Sequence, residues 1–298
     1  MKNAAVGQHL LSGALSGFAG AILLQPLDLL KTRIQQGDSA LNARNTTIIW
    51  HTTKDILRNE GIKGLWTGTS ATLVRNVPGV ALYFTSLTYL RSIMANSPYF
   101  SAQQRYSRDN SKTVLPKLSS QGNLIAGATA RVGVGLILNP FSILKARFES
   151  ELHAYRSLSG SLLSIARMGP SELMRGFVAS SLRDAPYAGL FVVIYESIKR
   201  ETTYFIPTAH AAGIHSFSAA SAGAIATMAT HPFDVIKTKM QVRSEDRYRG
   251  FTTTILRIFK QRGAAGFFDG ASLRMSRKIL SSAIGWAVFE GMLLFMQT

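Results

Sequence analysis

Three arginines lie in apolar stretches of the sequence, each seven residues after a glycine: Arg75, Arg183 and Arg277. A charge buried in a membrane is unfavourable by about 2.5 to 3.5 kcal/mol on insertion scales, so it normally faces a water-filled cavity and has a function. A guanidinium can bind a carboxylate bidentately, and Asp184, which follows the second arginine, can accept from an ammonium. These residue types therefore suit a zwitterion. The alternative is that Arg183 and Asp184 neutralise only each other or cap a helix.

The arginines belong to a pattern that occurs three times along the chain. Each copy has a string that closes an apolar segment: QPLDLLKTRIQ at 25–35, NPFSILKARFE at 139–149 and HPFDVIKTKMQ at 231–241. The prolines of these strings are 114 and 92 residues apart: Pro26, Pro140 and Pro232. A glycine pair with a spacing of seven precedes each arginine: Gly61 and Gly68, Gly169 and Gly176, Gly263 and Gly270. Recurrence at a fixed period indicates a repeat architecture.

Two apolar segments in each copy predict six membrane spans. The segments run roughly over 9–34, 70–93, 120–146, 177–198, 212–239 and 273–296. About 20 helical residues cross the hydrocarbon layer, and proline should kink the helices at the three strings. The predicted fold class is an all-α membrane protein with six transmembrane helices in three tandem two-helix repeats. The alternative is six core helices of a soluble protein.

The predicted domain is a single one over 1–298. Its repeats cover about 7–95, 119–203 and 209–298, and a polar loop lies at 96–118. Helical apolar spacing at 46–60, 157–168 and 251–262 predicts short helices along the membrane surface.

Charge follows this topology. The chain has 33 Lys and Arg against 16 Asp and Glu, a net charge of +17, with 46% hydrophobic residues. The segments that join the two spans of a repeat, 31–68, 145–176 and 237–270, contain 19 of the 33 bases. Basic loops tend to face one side of a membrane, so these three segments should share a side.

Other classes of function are disfavoured by the composition. A basic nucleic-acid-binding protein remains an alternative from a different class, but its expected clusters of bases with exposed aromatics are missing. Phosphate-loop, dinucleotide and nucleophile motifs are also missing, so we expect no enzyme. The sequence contains no cysteine, and its six histidines lack metal-ligand spacing. We therefore expect neither a metal nor a cofactor.

The three PxDxxKxRxQ-like strings resemble the motif of the mitochondrial carrier family over essentially the whole chain. The resemblance implies a pseudo-threefold, barrel-like bundle with a central substrate site and alternate opening to the intermembrane space and the matrix. It implies a multi-pass inner-membrane protein with both termini on the intermembrane-space side and its surface helices in the matrix. The start, MKNAAVGQHLL, lacks an Arg-rich amphipathic leader, as expected for this family. Cardiolipin is the expected lipid partner, no nucleic acid is expected, and a monomer is expected.

The resemblance also implies a gate on the matrix side. Its residues are Asp28, Lys31, Gln35, Lys145, Glu149, Asp234, Lys237 and Gln241. The acid of one repeat should pair with the base of the next, which gives Asp28 with Lys145 and Asp234 with Lys31. The alternative is ordinary helix-end charge, which stabilises by a few tenths of a kcal/mol per pair.

The second repeat departs from the gate pattern at two positions. Ser142 occupies the acidic position, so Lys237 loses its expected acidic partner and the gate should be weaker. Glu149 stands where the other repeats have Gln35 and Gln241. The sequence leaves open whether Glu149 compensates for Ser142.

On the opposite side, the resemblance assigns the cytoplasmic gate to four residues: Arg91, Glu196, Lys199 and Glu290. The aromatic-acid-x-x-base pattern is complete only around Glu196 and Lys199; in the third repeat Leu293 replaces the base. We therefore expect at most two ion pairs there.

The resemblance assigns the substrate contacts to Arg75, Arg183, Asp184, Arg277 and Lys278. In this family an arginine followed by an acid at the middle contact accompanies amino-acid substrates. The stretches 139–150 and 181–196 are similar to the carriers of the family that move glycine for haem (5-aminolevulinate) synthesis. They imply glycine as the substrate. Another amino acid or a small carboxylate is the alternative, and whether Arg131 lines the cavity or reaches a membrane surface stays open.

Overall fold

A computed structural model describes residues 18–37, 45–97, 99, 120–150, 152–153, 157–205 and 211–297. These residues form α-helices, two 3-10 helices and turns, and they contain no strand. The prediction of an all-α chain is confirmed for this part of the protein. The helices are α1 (18–23), α2 (Gln25–Gln36), α3 (Asn45–Asn59), α4 (Gly61–Gly64), α5 (Thr69–Ala95), α6 (Ser120–Ile137), α7 (Asn139–Glu149), α8 (Leu158–Arg167), α9 (Pro170–Leu173), α10 (Phe177–Phe205), α11 (Ala211–Ala229), α12 (His231–Val242), α13 (Phe251–Arg262) and α14 (Ala271–Gln297).

A one-residue break precedes each of the three proline-containing helices α2, α7 and α12. The breaks lie at Leu24, Leu138 and Thr230, two residues before the proline in every case. Proline lacks the backbone donor and its ring clashes with the preceding turn, so a continuous helix is interrupted there. The bend between α6 and α7 is 67°.

The glycine pairs are turn residues with a left-handed backbone. All six have φ between 62° and 105°: Gly61, Gly68, Gly169, Gly176, Gly263 and Gly270. A residue with a Cβ is strained in this region, whereas glycine is not. The pairs bracket the connection between each surface helix and the long helix that follows. The recurring glycines thus have a conformational reason.

The long helices reach membrane dimensions. α5 and α14 have 27 residues and α10 has 29, which corresponds to about 40 Å of helix. Within the described residues, one helical stretch, Pro170–Thr202, is both long and apolar enough to cross a membrane, with mean hydropathy 1.3. The bent pair α6 and α7 also meets this criterion when taken as one span.

The chain divides into two compact units. The first comprises Met1–Arg75, Pro140–Gly176 and Val235–Thr298. Its apolar core includes a cluster of α2, α3 and α14 side chains: Leu29, Leu30, Ile34, Ile56 and Leu273. A second cluster joins α7 and α8 through Ile143, Leu144 and Ile165.

The second unit comprises Asn76–Asn139 and Phe177–Asp234. Alanines are its most buried apolar residues: Ala126, Ala130, Ala179, Ala222 and Ala226 are at most 2% exposed. Small residues let helix backbones approach closely, which is the usual packing of helices in a membrane.

Candidate functional site

Asp28, the acid of the first proline string, lies in a cluster of ion pairs in the first unit. Lys145 Nζ lies 2.7 Å from Asp28 Oδ2, which is the contact expected between the first two repeats. Arg277 also forms an ion pair with Asp28. A residue expected to bind substrate therefore contacts a residue expected to form the gate.

Glu149 adds a second acid to this cluster. Its Oε1 lies 3.5 Å from Lys145 Nζ, and its Oε2 accepts a hydrogen bond of 2.7 Å from Thr32. Gln25 donates to Glu149 Oε1 at 3.1 Å. The carboxylate is buried and hydrogen-bonded, as a charge in such a place requires. Glu149 thus contacts Lys145, the same base that Asp28 contacts.

The position of Glu149 belongs to a cyclic set of contacts that the sequence pattern did not predict. A Cβ built on Gly68 would lie 3.0 Å from Glu149 Cγ, and one on Gly176 would lie 2.9 Å from Gln241 Cγ. The same construction on Gly270 gives 3.6 Å to Gln35 Cγ. Each repeat's last string residue therefore lies against the second glycine of another repeat. We call these three contacts the brace ring.

Hydrogen bonds extend two members of the brace ring. Gln35 accepts from Thr238 at 2.8 Å and donates to the Asp269 carbonyl at 3.2 Å. Gln241 donates to the Arg175 carbonyl at 3.4 Å and accepts from Ser142 at 3.4 Å. Ser142 replaces the acid of the other repeats, and its hydroxyl reaches the brace ring.

A second cyclic set uses the bases two positions after the expected gate bases. Arg33 Nε donates to the Glu149 carbonyl at 3.4 Å, and Arg147 Nε donates to the Gln241 carbonyl at 3.1 Å. Lys239 donates to the Gly37 carbonyl at 2.6 Å. We did not assign these bases from the sequence. Their recurrence as KTR, KAR and KTK was the available signal.

Two of these bases also have acidic partners. Arg33 lies 2.5 Å from Glu60, and the fully buried Arg147 forms an ion pair with Glu172. Arg175 binds Glu172 as well, at 3.0 and 3.1 Å. The first unit thus compensates its buried charges with opposite charges and with carbonyl oxygens.

Among the described residues of the second unit, a partly buried charged cluster lies around Arg183. Arg183 Nε lies 2.7 Å from Asp184 Oδ1, and Nη2 lies 2.9 Å from Asp184 Oδ2. Its Nη1 donates to Asp234 Oδ1 at 2.9 Å. The Asp184 side chain is 32% exposed, whereas that of Asp234 is 1% exposed. One base therefore binds two carboxylates, and only one of these is accessible.

Arg183, which we expected to receive the substrate carboxylate, lies against two acids of the protein, and its role in binding stays a prediction. The guanidinium is already bound bidentately by Asp184, because adjacent residues at the start of α10 bring the two side chains together. Asp234 joins them from α12, although we expected it to pair with Lys31. That pairing stays a prediction.

Aromatic rings continue along α10 from the Arg183 cluster. The Tyr187 and Phe191 ring centroids are 6.3 Å apart, and those of Phe191 and Tyr195 are 6.1 Å apart, in stacked arrangements. Residues four apart lie on one helix face. Glu196 is exposed and Lys199 is half-buried at the end of this row.

The remaining expected residues lie on the long helices. Arg75 and Arg91 are half-buried on α5, and Lys278 is exposed on α14. Lys31 is half-buried and Lys237 is buried. The side chain of Glu290 lies outside the described part of the chain. The gate and substrate roles of all these residues stay predictions.

Two ionisable groups lie near the surface helices. Burial raises the pKa of Asp269, although Arg262 at 2.8 Å opposes the shift. Burial, with the positive charge of Arg147, lowers the pKa of His153 to about 4. In the described part of the chain, no group of His, Asp or Glu side chains is arranged to hold a metal ion.

Buried ion pairs and a partly exposed acid in long apolar helices are typical of a membrane transport protein. The family model described as "Mitochondrial carrier protein" matches residues 2–98, 116–204 and 209–298. The chain belongs to the mitochondrial carrier family. It is a mitochondrial membrane protein and a transporter, not an enzyme.

Three similar proteins carry the same name. A protein of Laccaria bicolor named "Mitochondrial glycine transporter" is 64% identical over 98% of both chains. Proteins with the same name from Mycosarcoma maydis and Coccidioides immitis are each 39% identical. They cover 93% and 97% of this chain and 82% and 90% of their own lengths, respectively.

Proposed function

We propose that this protein carries glycine across the inner mitochondrial membrane into the matrix. The observation that carries the proposal is the 64% identity, over 98% of both chains, to a protein named mitochondrial glycine transporter. Glycine in the matrix supplies the 5-aminolevulinate step of haem synthesis, which is the process implied by the resemblance.

The cluster around Arg183 supports a zwitterionic substrate. Arg183 is bound by two acids, and the partly exposed one is Asp184. An ammonium group can pair with such an acid, whereas a nucleotide phosphate would be repelled. A small carboxylate without an amine would gain nothing from Asp184. We retain Arg75, Arg277 and Lys278 as substrate contacts on the strength of their sequence positions.

The transport path is proposed to run through six spans in three repeats. The helices broken before Pro26, Pro140 and Pro232 support three odd-numbered spans, and α5, α10 and α14 support three even-numbered ones. The basic segments within the repeats would face the matrix, with both termini in the intermembrane space. Cardiolipin headgroups would meet this basic side, and the monomer would be the working unit.

Alternate opening is proposed to depend on the gate residues. The Asp28–Lys145 pair, at 2.7 Å, supports a matrix-side latch between the first and second repeats. Two predicted substrate contacts bind gate acids: Arg183 binds Asp234, and Arg277 binds Asp28. Substrate binding would therefore compete with the latch, which provides a physical route from binding to opening.

Uptake by reconstituted vesicles tests the proposal. Purified protein in liposomes of stated cardiolipin content should accumulate labelled glycine, and unlabelled glycine should compete better than alanine, serine, glutamate or acetate. Vesicles with protein inactivated by heat provide the background. Equal competition by every amino acid would remove the glycine assignment. Absence of uptake of any amino acid would remove the amino-acid assignment.

A further inference from the structure

Arg131 is an intramembrane base that the proposed function does not use. It lies within α6, whose 18 residues contain no other charged side chain, and its side chain is exposed. The guanidinium Cζ lies 4.8 Å from the centre of the Tyr83 ring on α5. A cation over an aromatic face is attracted by the ring, so Tyr83 holds the guanidinium in place.

The orientation of α6 directs Arg131 away from lipid. Three large apolar side chains of this helix are exposed: Ile125 at 47%, Leu136 at 44% and Ile137 at 62%. With 100° of rotation per residue, Arg131 projects about 120° to 140° around the helix from each of them. In a membrane the exposed apolar side chains would face lipid, so Arg131 faces the protein interior.

Leucines seven residues on either side of Arg131 show what its face meets. Leu138 lies 3.0 Å from the Cβ position of Gly79 on α5, and Leu124 lies 3.7 Å from that of Gly189 on α10. Residues seven apart differ by only about 20° around a helix. Leu138 is the break residue directly after α6, and its N–H still donates to the Val134 carbonyl of α6, so Arg131 lies on the side of α6 that faces α5 and α10.

Its depth follows from the register of α6 and α10 and rests on the proposed six-span function. Consecutive spans run in opposite directions, and Leu124 fixes the register at Gly189. Seven residues forward along α6 and seven backward along α10 reach Arg131 and Leu182, which is next to Arg183. Arg131 is thus level with the Arg183 cluster.

Charge then assigns the role. Arg183 is already bound by Asp184 and Asp234, so the substrate carboxylate needs another base, while the partly exposed Asp184 can pair with an ammonium. We propose that Arg131, held by Tyr83, binds the carboxylate of the substrate while Asp184 binds its ammonium. The substrate class is a small α-amino acid, whose two charged groups are separated by one carbon.

Transport kinetics test the assignment. In Arg131→Gln, the KM for glycine should rise at least about tenfold, because a charge-assisted hydrogen-bond pair is lost, with a smaller change in maximal rate. Arg131→Lys should recover part of the affinity, and Tyr83→Leu should raise the KM severalfold while Tyr83→Phe should not. The matched control is Arg200→Gln, whose side chain is 80% exposed. Thermal unfolding in detergent verifies that each variant is folded.

Glycinamide, which has the ammonium but no carboxylate, separates the two ends of the site. Its inhibition constant should be unchanged in Arg131→Gln and raised in Asp184→Asn. An unchanged glycine KM in Arg131→Gln, or equal losses of glycine and glycinamide binding there, would overturn the role of Arg131. Failure of the proposed function has a different signature, since wild-type vesicles would then not take up glycine. If they take up another amino acid, that amino acid and its amide replace glycine in the same comparison.

Discussion

The polar network of the first unit and the charged cluster of the second unit differ in how accessible their paired acids are. In the first unit, Asp28 and Glu149 share Lys145, Arg277 also pairs with Asp28, and both acids are buried. In the second unit, Arg183 pairs with Asp184, which is partly exposed, and with Asp234, which is buried. A set whose acids are all buried suits a closed latch. A set with a partly exposed acid suits a ligand that brings a positive charge.

The two regions also differ in recurrence. Each repeat contributes one contact to the brace ring and one to the second cyclic set. An arginine followed by an acid at the contact position, in contrast, occurs in the second repeat alone. Contacts that recur hold the repeats together. Selectivity can arise at Arg183 and Asp184, where the second repeat differs from the other two. Variants of the recurring contacts should therefore change stability, and variants of the Arg183 cluster should change transport.

The largest expected loss of stability is at Arg147, the fully buried base of the first unit. Arg147→Met removes the ion pair to Glu172 and the donor to the Gln241 carbonyl. The loss should be about 3 kcal/mol, since breaking a buried pair leaves charge and carbonyl uncompensated. It is measured as a lowered thermal unfolding midpoint in detergent. Arg167→Met, at an exposed base, is the control, and equal midpoints for the two variants would contradict the prediction.

In the second unit, Arg183→Ala and Asp184→Ala should each abolish transport, by about 100-fold or more. Asp184→Ala removes a charge-assisted hydrogen bond to the ligand, worth about 1.5 to 3 kcal/mol, and Arg183→Ala removes the base that holds Asp184 in place. Uptake of labelled glycine is measured per amount of folded protein, which should change little. Arg200→Ala, in an exposed pair with Glu201, is the control. Transport retained in either cluster variant would place the substrate elsewhere.

Variants of Gly169 and Gly176, the two glycines of one pair, distinguish the effect of backbone strain from the effect of the brace-ring contact. Gly169→Ala adds a methyl at φ +105 with no atom within 4 Å, so about 1 kcal/mol of strain is expected. Gly176→Ala adds one at φ +71, only 2.9 Å from Gln241 Cγ and 3.3 Å from the Lys237 carbonyl, and about 2 to 3 kcal/mol is expected. Thermal midpoints of both variants provide the comparison. Equal shifts would mean that the Gln241 contact contributes nothing.

Ser142→Asp restores the acid that the second repeat lacks and should strengthen the matrix latch. An added buried ion pair of about 1 kcal/mol would change the uptake rate about fivefold. Ser142→Asn introduces a side chain of the same size as Asp but without the charge, and it serves as the control. If both variants transport at the wild-type rate, the latch does not limit transport.

The smallest effect concerns His153 in the first unit. Its pKa is lowered from 6.5 to about 4, so as pH falls through this window the unfolded chain binds a proton that the folded protein does not. Stability should therefore decrease between pH 6.5 and pH 4, and His153→Asn should reduce that decrease. Thermal midpoints at pH 7 and pH 5 measure it, with His51→Asn at an exposed histidine as the control. Identical pH dependence in wild type and His153→Asn would contradict the prediction.

The recurring proline and glycine positions made much of the fold predictable. Pro26, Pro140 and Pro232 follow helix breaks because proline lacks a donor wherever it stands, which is a local property. The glycine pairs recur in sequence, but their left-handed conformation and their brace contacts were not predicted. Those depend on which repeat packs beside which.

The site was less predictable because its partners are distant in sequence. Arg183 and Asp184 were identified as adjacent residues, yet Asp234, 51 residues away, entered the cluster through tertiary packing. Arg147 was missed because a basic residue in the last turn of a helix is common and does not by itself indicate burial. Its complete burial is visible only in the structure.

The three contacts of the brace ring form a closed cycle. The third repeat's glycine meets the first repeat, the first repeat's glycine meets the second, and the second repeat's glycine meets the third. Loosening one contact therefore shifts strain onto the other two, because closely packed side chains are not continuously deformable. A partly released ring is less favourable than either an intact or a fully released one. The three repeats should then disengage together, in an all-or-none step.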